Sequence, residues 1–177
     1  MLHSKVYTIG YGGRSLEDFI RILEYYGVLR VVDVRRWNKS IKQPVFSGEN
    51  LSRVLPKHGI EYYWIPELGG YRRFGVDVED RGIATCFKSQ GFRAYATFIT
   101  VSTEAKRFLK KLVNLAATAP TVILCCEKHP WRCHRKIISD YLVAKGFKVL
   151  HILDAGKEVI HRLHRCAVVV GGELKYT

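Results

Sequence analysis

One segment of the sequence, residues 121–135 (TVILCCEKHPWRCHR), constrains the fold more than any other. It opens with an apolar, β-rich run at 121–126, which has the length of a buried parallel strand. The run ends abruptly in charged and reactive side chains at 127–135, where Pro130 suits the first turn of a helix. In open α/β sheets the ligand crevice lies just beyond the carboxyl ends of the strands. The segment therefore predicts a parallel sheet with a functional site at the end of this strand.

Periodicity and turn residues predict that strands and helices alternate along the rest of the chain. Four further strands are predicted at residues 5–9, 28–34, 60–65 and 148–152. Helices are predicted at 16–23 after the N-cap Ser15, from Asn50 to a stop at Gly59, at 92–99, at 103–116, and from Pro130 to residue 145. Residues 74–91 fit neither period and are predicted to form a mobile insertion or lid.

This alternation predicts one α/β domain with a mostly parallel five-stranded sheet flanked by helices. The domain is expected to comprise residues 1–154, with a small C-terminal extension at 155–177 packed on it. In the extension we expect a short helix from Ala155 that includes His161, Arg162, His164 and Arg165, and a hairpin formed by 167–170 and 174–176. Right-handed crossovers favour the strand order 3-2-1-4-5, with 2-1-3-4-5 as the alternative. In the first order, the loop after the first strand lies beside residues 127–135.

Charge is the unusual bulk property of the chain. Its 177 residues include 29 Lys and Arg against 16 Asp and Glu, a net charge of +13 that attracts polyanions. No apolar run approaches the roughly 20 residues of a membrane span, and the first residues contain no signal-peptide core, so we predict a cytoplasmic protein without membrane partners. A single Met and two Gln are typical of thermophilic proteins, in which the cysteines could form an intracellular disulfide.

Several short motifs resemble those of one known family. They are Thr8-Ile9-Gly10 with Arg14-Ser15, Val32-Asp33-Val34-Arg35, Gly59-Ile60, Leu68-Gly69-Gly70, and Cys125-x-Glu127 followed by Cys133-His134-Arg135. Together they resemble the domain of unknown function 488 (DUF488) family. The resemblance implies a flavodoxin-like or Rossmann-like α/β fold and no established reaction. The chain has Gly10-Tyr11-Gly12 where the family pattern is Gly-His-Ser, so a histidine or hydroxyl role at that turn does not carry over.

The predicted site combines cations that neutralise phosphate with groups that transfer protons. Its ligand-binding residues are predicted to be Gly10, Arg14, Arg35, Arg72, Arg132 and Arg135. Its catalytic residues are predicted to be Asp33, Glu127, Cys133 and His134. Carboxylates beside arginines suit ribose or nucleobase chemistry, so the expected ligand is a nucleotide, a nucleic acid or another phosphate-bearing molecule. The glycine turn at 10–13 lacks the third spaced glycine of a dinucleotide fingerprint, so no nucleotide cofactor is predicted.

Two alternatives to this interpretation remain open. One is a nucleic-acid-binding module without catalysis, supported by the positive charge and by aromatic residues such as Trp37 and Trp131. The other is a Cys-dependent phosphatase-like or metal-dependent enzyme, of which the phosphatase is suggested because Cys126 and Arg132 enclose five residues. Glu127 weighs against the phosphatase, since it places negative charge beside the thiol.

Two further questions concern the same residues. Zinc accepts the side chains of Cys125, Glu127, Cys133, His134 and His151, but their spacing matches no standard zinc motif, so a zinc site is not favoured and no metal ligand is predicted. The carboxylates could also form salt bridges that merely fasten the loops, either between Asp33 and Arg35 or between Glu127 and Arg135.

Overall fold

A six-stranded sheet forms the centre of the protein in the computed structural model, which describes residues 4–177. The strands of this sheet are β1 Lys5–Gly10, β2 Arg30–Asp33, β3 Glu61–Trp64, β4 Thr121–Cys125, β5 Lys148–Asp154 and β6 Lys157–Ile160. The helices are α1 Leu16–Tyr25, α2 Gly48–Val54, α3 Gln90–Val101, α4 Thr103–Thr118 and α5 Arg135–Ala144. A separate hairpin is formed by β7 Ala167–Val170 and β8 Glu173–Tyr176, as predicted for the tail.

The order of the strands is β3-β2-β4-β1-β5-β6, in which the first five are parallel and β6 runs antiparallel to β5. Both predicted orders are therefore wrong, because β4 lies between β1 and β2. The handedness rule restricts each crossover but does not decide which strand takes the centre. All five residues of β4 are buried, as a central strand requires. The prediction that β1 and β4 lie side by side is correct, with Gly10 aligned to Cys125.

Two hydrophobic layers cover the two faces of the sheet. Alternate residues of β4 enter different layers, since Val122 packs with Phe19 of α1 whereas Ile123 packs with Leu109 of α4. Helices α1 and α2 cover the first face, and α3, α4 and α5 cover the second. This arrangement confirms the predicted α/β class with a mostly parallel sheet, and it is consistent with a flavodoxin-like or Rossmann-like fold.

Local sequence signals explain where most helices and strands begin, but two of them led to wrong predictions. Ser15 caps α1 as predicted, because its side chain accepts a hydrogen bond from the Asp18 amide at 3.1 Å. Helix α2 begins at Gly48 rather than after Asn50. The short helix predicted from Ala155 is wrong: residues Lys157–Ile160 form strand β6, and residues 161–164 have no regular structure. All four residues of β6 are exposed, so the strand lacks the apolar alternation that would reveal it.

Residues 74–91 contain little regular structure but are fastened to the domain. Ala84 and Phe87 are buried in the core, and a disulfide joins Cys86 to Cys166 across 80 residues. These contacts do not support the predicted mobile insertion, whereas the disulfide considered at the sequence level is present. Leu174 and Tyr176 of the hairpin join the same hydrophobic layer.

The predicted boundaries of the domain and of its C-terminal extension can be compared with the structure. The predicted domain starts at residue 1, and residues 1–3 lie outside the described part. Strand β6 falls within the predicted extension at 155–177, yet it pairs with β5 in the central sheet. Within residues 4–177, no helix combines the length and the apolar character needed to cross a bilayer.

Candidate functional site at the carboxyl edge of the sheet

The turn after β1 packs directly against the segment that follows β4. The amide of Gly12 donates to the carbonyl of Cys126 at 2.9 Å, and the Tyr11 amide donates to the carbonyl of Cys125 at 3.1 Å. A Cβ atom at Gly10 would lie 1.9 Å from the carbonyl oxygen of Glu127, so only glycine fits there. The structure thus brings predicted site residues from distant parts of the sequence to one edge of the sheet.

At the end of β2, a buried carboxylate and a buried guanidinium form a bidentate pair. Nε and Nη2 of Arg35 donate to Asp33 at 2.9 and 2.7 Å, and the hydroxyl of Tyr62 donates to Asp33 at 2.5 Å. Burial lowers the pKa of Arg35, but the hydrogen bonds and charge of Asp33 outweigh it and raise this pKa above its usual value. Both carboxylate oxygens of Asp33 therefore accept hydrogen bonds from groups inside the protein.

Two other predicted ligand-binding arginines also satisfy internal groups. Arg14 donates to the carbonyls of Gly10 and Leu153 at 2.8 and 2.7 Å, and it is largely buried. Arg72 donates to the carbonyls of Gly69 and Glu67 at 3.0 and 2.7 Å. These guanidiniums fasten the loops around the edge by donating to backbone carbonyls.

The remaining predicted side chains lie nearer the surface. The carboxylate of Glu127 accepts from the His129 amide at 3.1 Å and is partly exposed. Arg132 is exposed. Cys126 is also exposed, and within residues 4–177 it forms no hydrogen bond with Arg132. In the described part of the chain, the spacing that suggested a phosphatase therefore gives no hydrogen bond between these two side chains.

Under this surface, at the end of β4, Cys125, Cys133 and His134 form a buried cluster, here called the thiol–imidazole cluster. One donor atom from each residue lies within 4.8 Å of the other two, and Cys133 Sγ is 3.6 Å from His134 Nδ1. The hydrogen bond with Cys133, followed by burial, raises the pKa of Cys125 well above its usual value. Burial alone would raise the pKa of Cys133, but Cys125, His134 and Arg135 together lower it well below its usual value.

The guanidinium of Arg135 is fully buried beside this cluster. It donates to Cys133 Sγ at 3.4 Å, to Thr8 Oγ1 at 3.1 Å and to the carbonyl of Glu127. Within the described residues no carboxylate lies within 4.0 Å of it. The predicted pairing of Glu127 with Arg135 is thus made through the backbone carbonyl. Among the side chains that Arg135 contacts, the Cys133 sulfur is the group that carries negative charge most readily.

A chain of hydrogen bonds leads from Arg135 to a distant carboxylate. Thr8 Oγ1 lies 2.6 Å from His151 Nδ1, His151 Nε2 lies 2.9 Å from His161 Nδ1, and His161 Nε2 lies 2.7 Å from Asp140. Arg135 can only donate hydrogen bonds and the Asp140 carboxylate can only accept them. The hydrogen positions are therefore consistent if each group in the chain donates to the next one towards Asp140. Burial, then the neighbouring His161 and Arg135, lowers the pKa of His151 to about 3, so this ring is neutral at neutral pH.

Sequence reasoning did not identify this chain of hydrogen bonds. Thr8 and His151 are separated by 143 residues, and they meet only because β1 pairs with β5. The sequence does contain one signal for this contact: β1 and β5 are apolar strands, and each has a polar residue at its centre. A buried hydroxyl or imidazole needs a hydrogen-bond partner.

Exposed aromatic and basic side chains form the outside of the same edge. Trp37, Tyr71 and Trp131 stand on the loops after β2, β3 and β4 and are 64%, 80% and 54% exposed. The rings of Trp37 and Tyr71 are 6.0 Å apart, and the guanidinium of Arg36 lies 5.2 Å from the Trp37 ring. Exposed cations on these loops are Lys39, Lys42, Arg73, Lys128 and Arg132. We call these three rings and five cations the aromatic–basic surface.

The fold and this edge define an α/β protein with a mostly parallel sheet and a thiol–imidazole cluster beneath a basic surface. More specifically, the chain belongs to the family described as Domain of unknown function DUF488, which matches residues 15–142. The matched range includes the ends of β2, β3 and β4 and the whole thiol–imidazole cluster. Comparisons with curated proteins and with solved structures find no match.

Proposed function

We propose that the aromatic–basic surface binds a phosphate-bearing ligand, with single-stranded nucleic acid as the favoured class. The observation that carries this proposal is the exposure of Trp37, Tyr71 and Trp131 on three loops of one edge. Strands β3, β2 and β4 are consecutive in the sheet, so their loops are neighbours. Aromatic rings presented to solvent beside cations are the usual platform on which single-stranded bases stack.

The distribution of charge supports the same ligand class. The five exposed cations of the aromatic–basic surface add to a net charge of +13. Asp77, an acidic group on the loop after β3, is already engaged: it accepts from the Arg73 amide at 2.7 Å and lies 3.7 Å from Arg72. Glu67 and Glu127 on the same loops are only partly exposed, so the five exposed cations leave an excess of positive charge, which attracts a polyanion and makes its binding sensitive to salt.

The proposed role is binding, without a catalytic role for Asp33. A general acid or base needs access to a substrate, and Asp33 is fully buried with Arg35 and Tyr62. Glu127 is the carboxylate of the predicted site that remains partly exposed, and it is the group we propose to contact a ligand sugar or base.

Fluorescence anisotropy with labelled single-stranded DNA and RNA tests this proposal. Binding should weaken log-linearly with rising salt. Trp37→Ala and Trp131→Ala should each weaken binding by roughly 5–150-fold, equivalent to about 1–3 kcal/mol per stacked base. A double-stranded oligonucleotide of equal charge should bind less tightly, because its bases are not free to stack.

Two matched double variants distinguish binding at this surface from attraction by the positive charge of the whole protein. Lys39→Gln with Lys42→Gln removes two charges from the aromatic–basic surface, whereas Lys110→Gln with Lys111→Gln removes two exposed charges from α4. The first pair should weaken binding and reduce the salt slope, and the second should do so less. Equal losses, or no binding at low salt, would contradict the proposal.

A further inference from the structure

We infer that the thiol–imidazole cluster is a binding site for a thiophilic transition metal ion, with Zn²⁺ as the expected ion. Its three side chains come from the end of β4 and the start of α5, and all three are buried. Two sulfurs and an imidazole suit zinc and exclude the oxygen-preferring ions Mg²⁺ and Ca²⁺. This site is independent of the proposed nucleic-acid surface above it.

The spacing of the donor atoms fits tetrahedral zinc. Zinc binds sulfur at about 2.3 Å and imidazole nitrogen at about 2.0–2.1 Å, so tetrahedral angles place the two donors about 3.6 Å apart. Cys133 Sγ and His134 Nδ1 are 3.6 Å apart, and Cys125 Sγ lies within 4.8 Å of both. The cluster therefore supplies three of four donors, a number typical of zinc sites that leave one position for water or a substrate.

The hydrogen bonds around His134 orient its free nitrogen towards the sulfurs. Its Nε2 lies 3.0 Å from the carbonyl oxygen of Val34, which can only accept a hydrogen bond, so Nε2 carries the hydrogen. In the neutral ring the lone pair then resides on Nδ1, which is the nitrogen that faces Cys133. A backbone carbonyl that fixes the tautomer in this way is the usual support of a metal-binding histidine.

The surroundings of Cys133 and His134 also have the form of a metal site. The sulfur of Cys133 accepts hydrogen bonds from the backbone amide of Arg135 at 3.5 Å and from its Nε at 3.4 Å. Such donors stabilise a thiolate ligand. A Cβ atom at Gly70 would lie 3.0 Å from His134 Nδ1, so glycine leaves the ring undisturbed.

The protein has a second group of metal-ligand side chains, formed by Cys86, His164 and Cys166. Its two cysteines are joined in a disulfide and have no thiolate to offer. The competing arrangement at the thiol–imidazole cluster is a disulfide between Cys125 and Cys133. In that case the site would hold no metal, so the two arrangements exclude each other.

Metal content of the full-length protein, purified without chelator or reductant, tests the inference. We expect about one zinc ion per chain. Cys125→Ser, Cys133→Ser and His134→Gln should each lower the content at least about tenfold. The matched control is Cys126→Ser, which replaces the exposed neighbour of Cys125 and should keep the full content.

Cobalt titration of the metal-stripped wild-type protein decides the matter even if a variant does not fold. With the Cys86–Cys166 bridge intact, Co²⁺ should produce thiolate-to-cobalt charge-transfer bands and the strong visible bands of tetrahedral coordination. Cys126→Ser should reproduce them. The inference is overturned if wild-type protein carries far less than stoichiometric metal and Co²⁺ gives no thiolate bands. Peptide mapping that finds Cys125 joined to Cys133 would also overturn it.

Discussion

The ends of β2 and β4 lie side by side at the carboxyl edge, and each holds a buried arginine, yet the two arginines meet different partners. Arg35 contacts a carboxylate directly, since Asp33 lies 2.7 Å from its Nη2. Arg135 contacts a sulfur, a hydroxyl and a carbonyl, and reaches the carboxylate of Asp140 only through Thr8, His151 and His161. The end of β2 is thus charge-balanced within the protein, whereas the end of β4 retains sulfur and imidazole donors.

This difference separates a structural role from a ligand-binding role within one crevice. Buried charges need a partner because desolvation is costly, and Asp33 and Arg35 supply one another. At the end of β4, a positive guanidinium beside two thiols favours a thiolate, and a metal ion would use the donors that remain. Residue type alone does not distinguish the two regions, because both follow a buried strand with charged side chains.

The largest expected effect comes from breaking the pair at β2. Asp33→Asn leaves the guanidinium of Arg35 buried without its counter-charge, and we expect a loss of about 3–5 kcal/mol in the free energy of unfolding. Denaturant unfolding measures it. Asp80→Asn is the control, because Asp80 pairs with Arg93 at the surface and should change stability little. A loss for Asp33→Asn no greater than that of the control would remove the structural role.

Acid should destabilise the protein through the neutral His151. The unfolded chain protonates this imidazole near pH 6.5, whereas the folded protein does so only near its pKa of about 3. The stability contribution is therefore fully present above about pH 6.5 and is lost as the pH falls towards 3. We expect roughly 2–3 kcal/mol between pH 7 and pH 4.5 from this group.

The variant His151→Gln isolates that contribution. It should flatten the dependence of unfolding free energy on pH over this range, whatever its stability at pH 7. His58→Gln is the control, because His58 is exposed. An unchanged pH dependence in His151→Gln would show that the ring is not held neutral by the fold.

A smaller effect is expected from interrupting the hydrogen-bond chain at its second member. Thr8→Val keeps the shape of the side chain but removes the oxygen that links Arg135 to His151. Leaving the Arg135 donor and the His151 acceptor buried without a partner should lower the free energy of unfolding by about 1–2 kcal/mol. The buried Thr97, which bonds only a carbonyl of its own helix, offers Thr97→Val as the control. Equal losses of unfolding free energy in the two variants would indicate that the chain of hydrogen bonds does not contribute to stability.

The smallest effect is expected at the exposed neighbour of the cluster. Cys126→Ser should change the free energy of unfolding by no more than about 0.5 kcal/mol, because its side chain faces solvent. Cys125→Ser, one residue earlier and buried, should cost more. Similar values for the two variants in the same unfolding assay would contradict the placement of the Cys125 thiol in the interior and the Cys126 thiol at the surface.

The regular elements are largely predictable from sequence, and their arrangement is less so. Buried parallel strands carry continuous apolar runs, and this signal marks β1, β2, β4 and β5, whereas the edge strand β3 is only half-buried. The order of the strands depends on which one buries most surface at the centre, which no local pattern records. The exposed strand β6 has no apolar face, and a basic stretch beside it suggested a helix instead.

The candidate site is likewise only partly predictable from the sequence. The cluster of Cys133 and His134 is visible in sequence because its members are close together in the chain. Sequence cannot show that Arg14 and Arg72 bond carbonyls rather than face a ligand, because both roles need the same side chain. It also cannot show that Val34 fixes the His134 tautomer, since 100 residues separate the two groups.

Diffraction data collected on either side of the zinc absorption edge, from crystals of protein never exposed to chelator, test the contrast between the two strand ends most directly. We predict an anomalous difference peak bonded to Cys125 Sγ, Cys133 Sγ and His134 Nδ1, and none beside Asp33 and Arg35. Absence of a peak at the thiol–imidazole cluster, or continuous density joining the two sulfurs as a disulfide, would contradict this account.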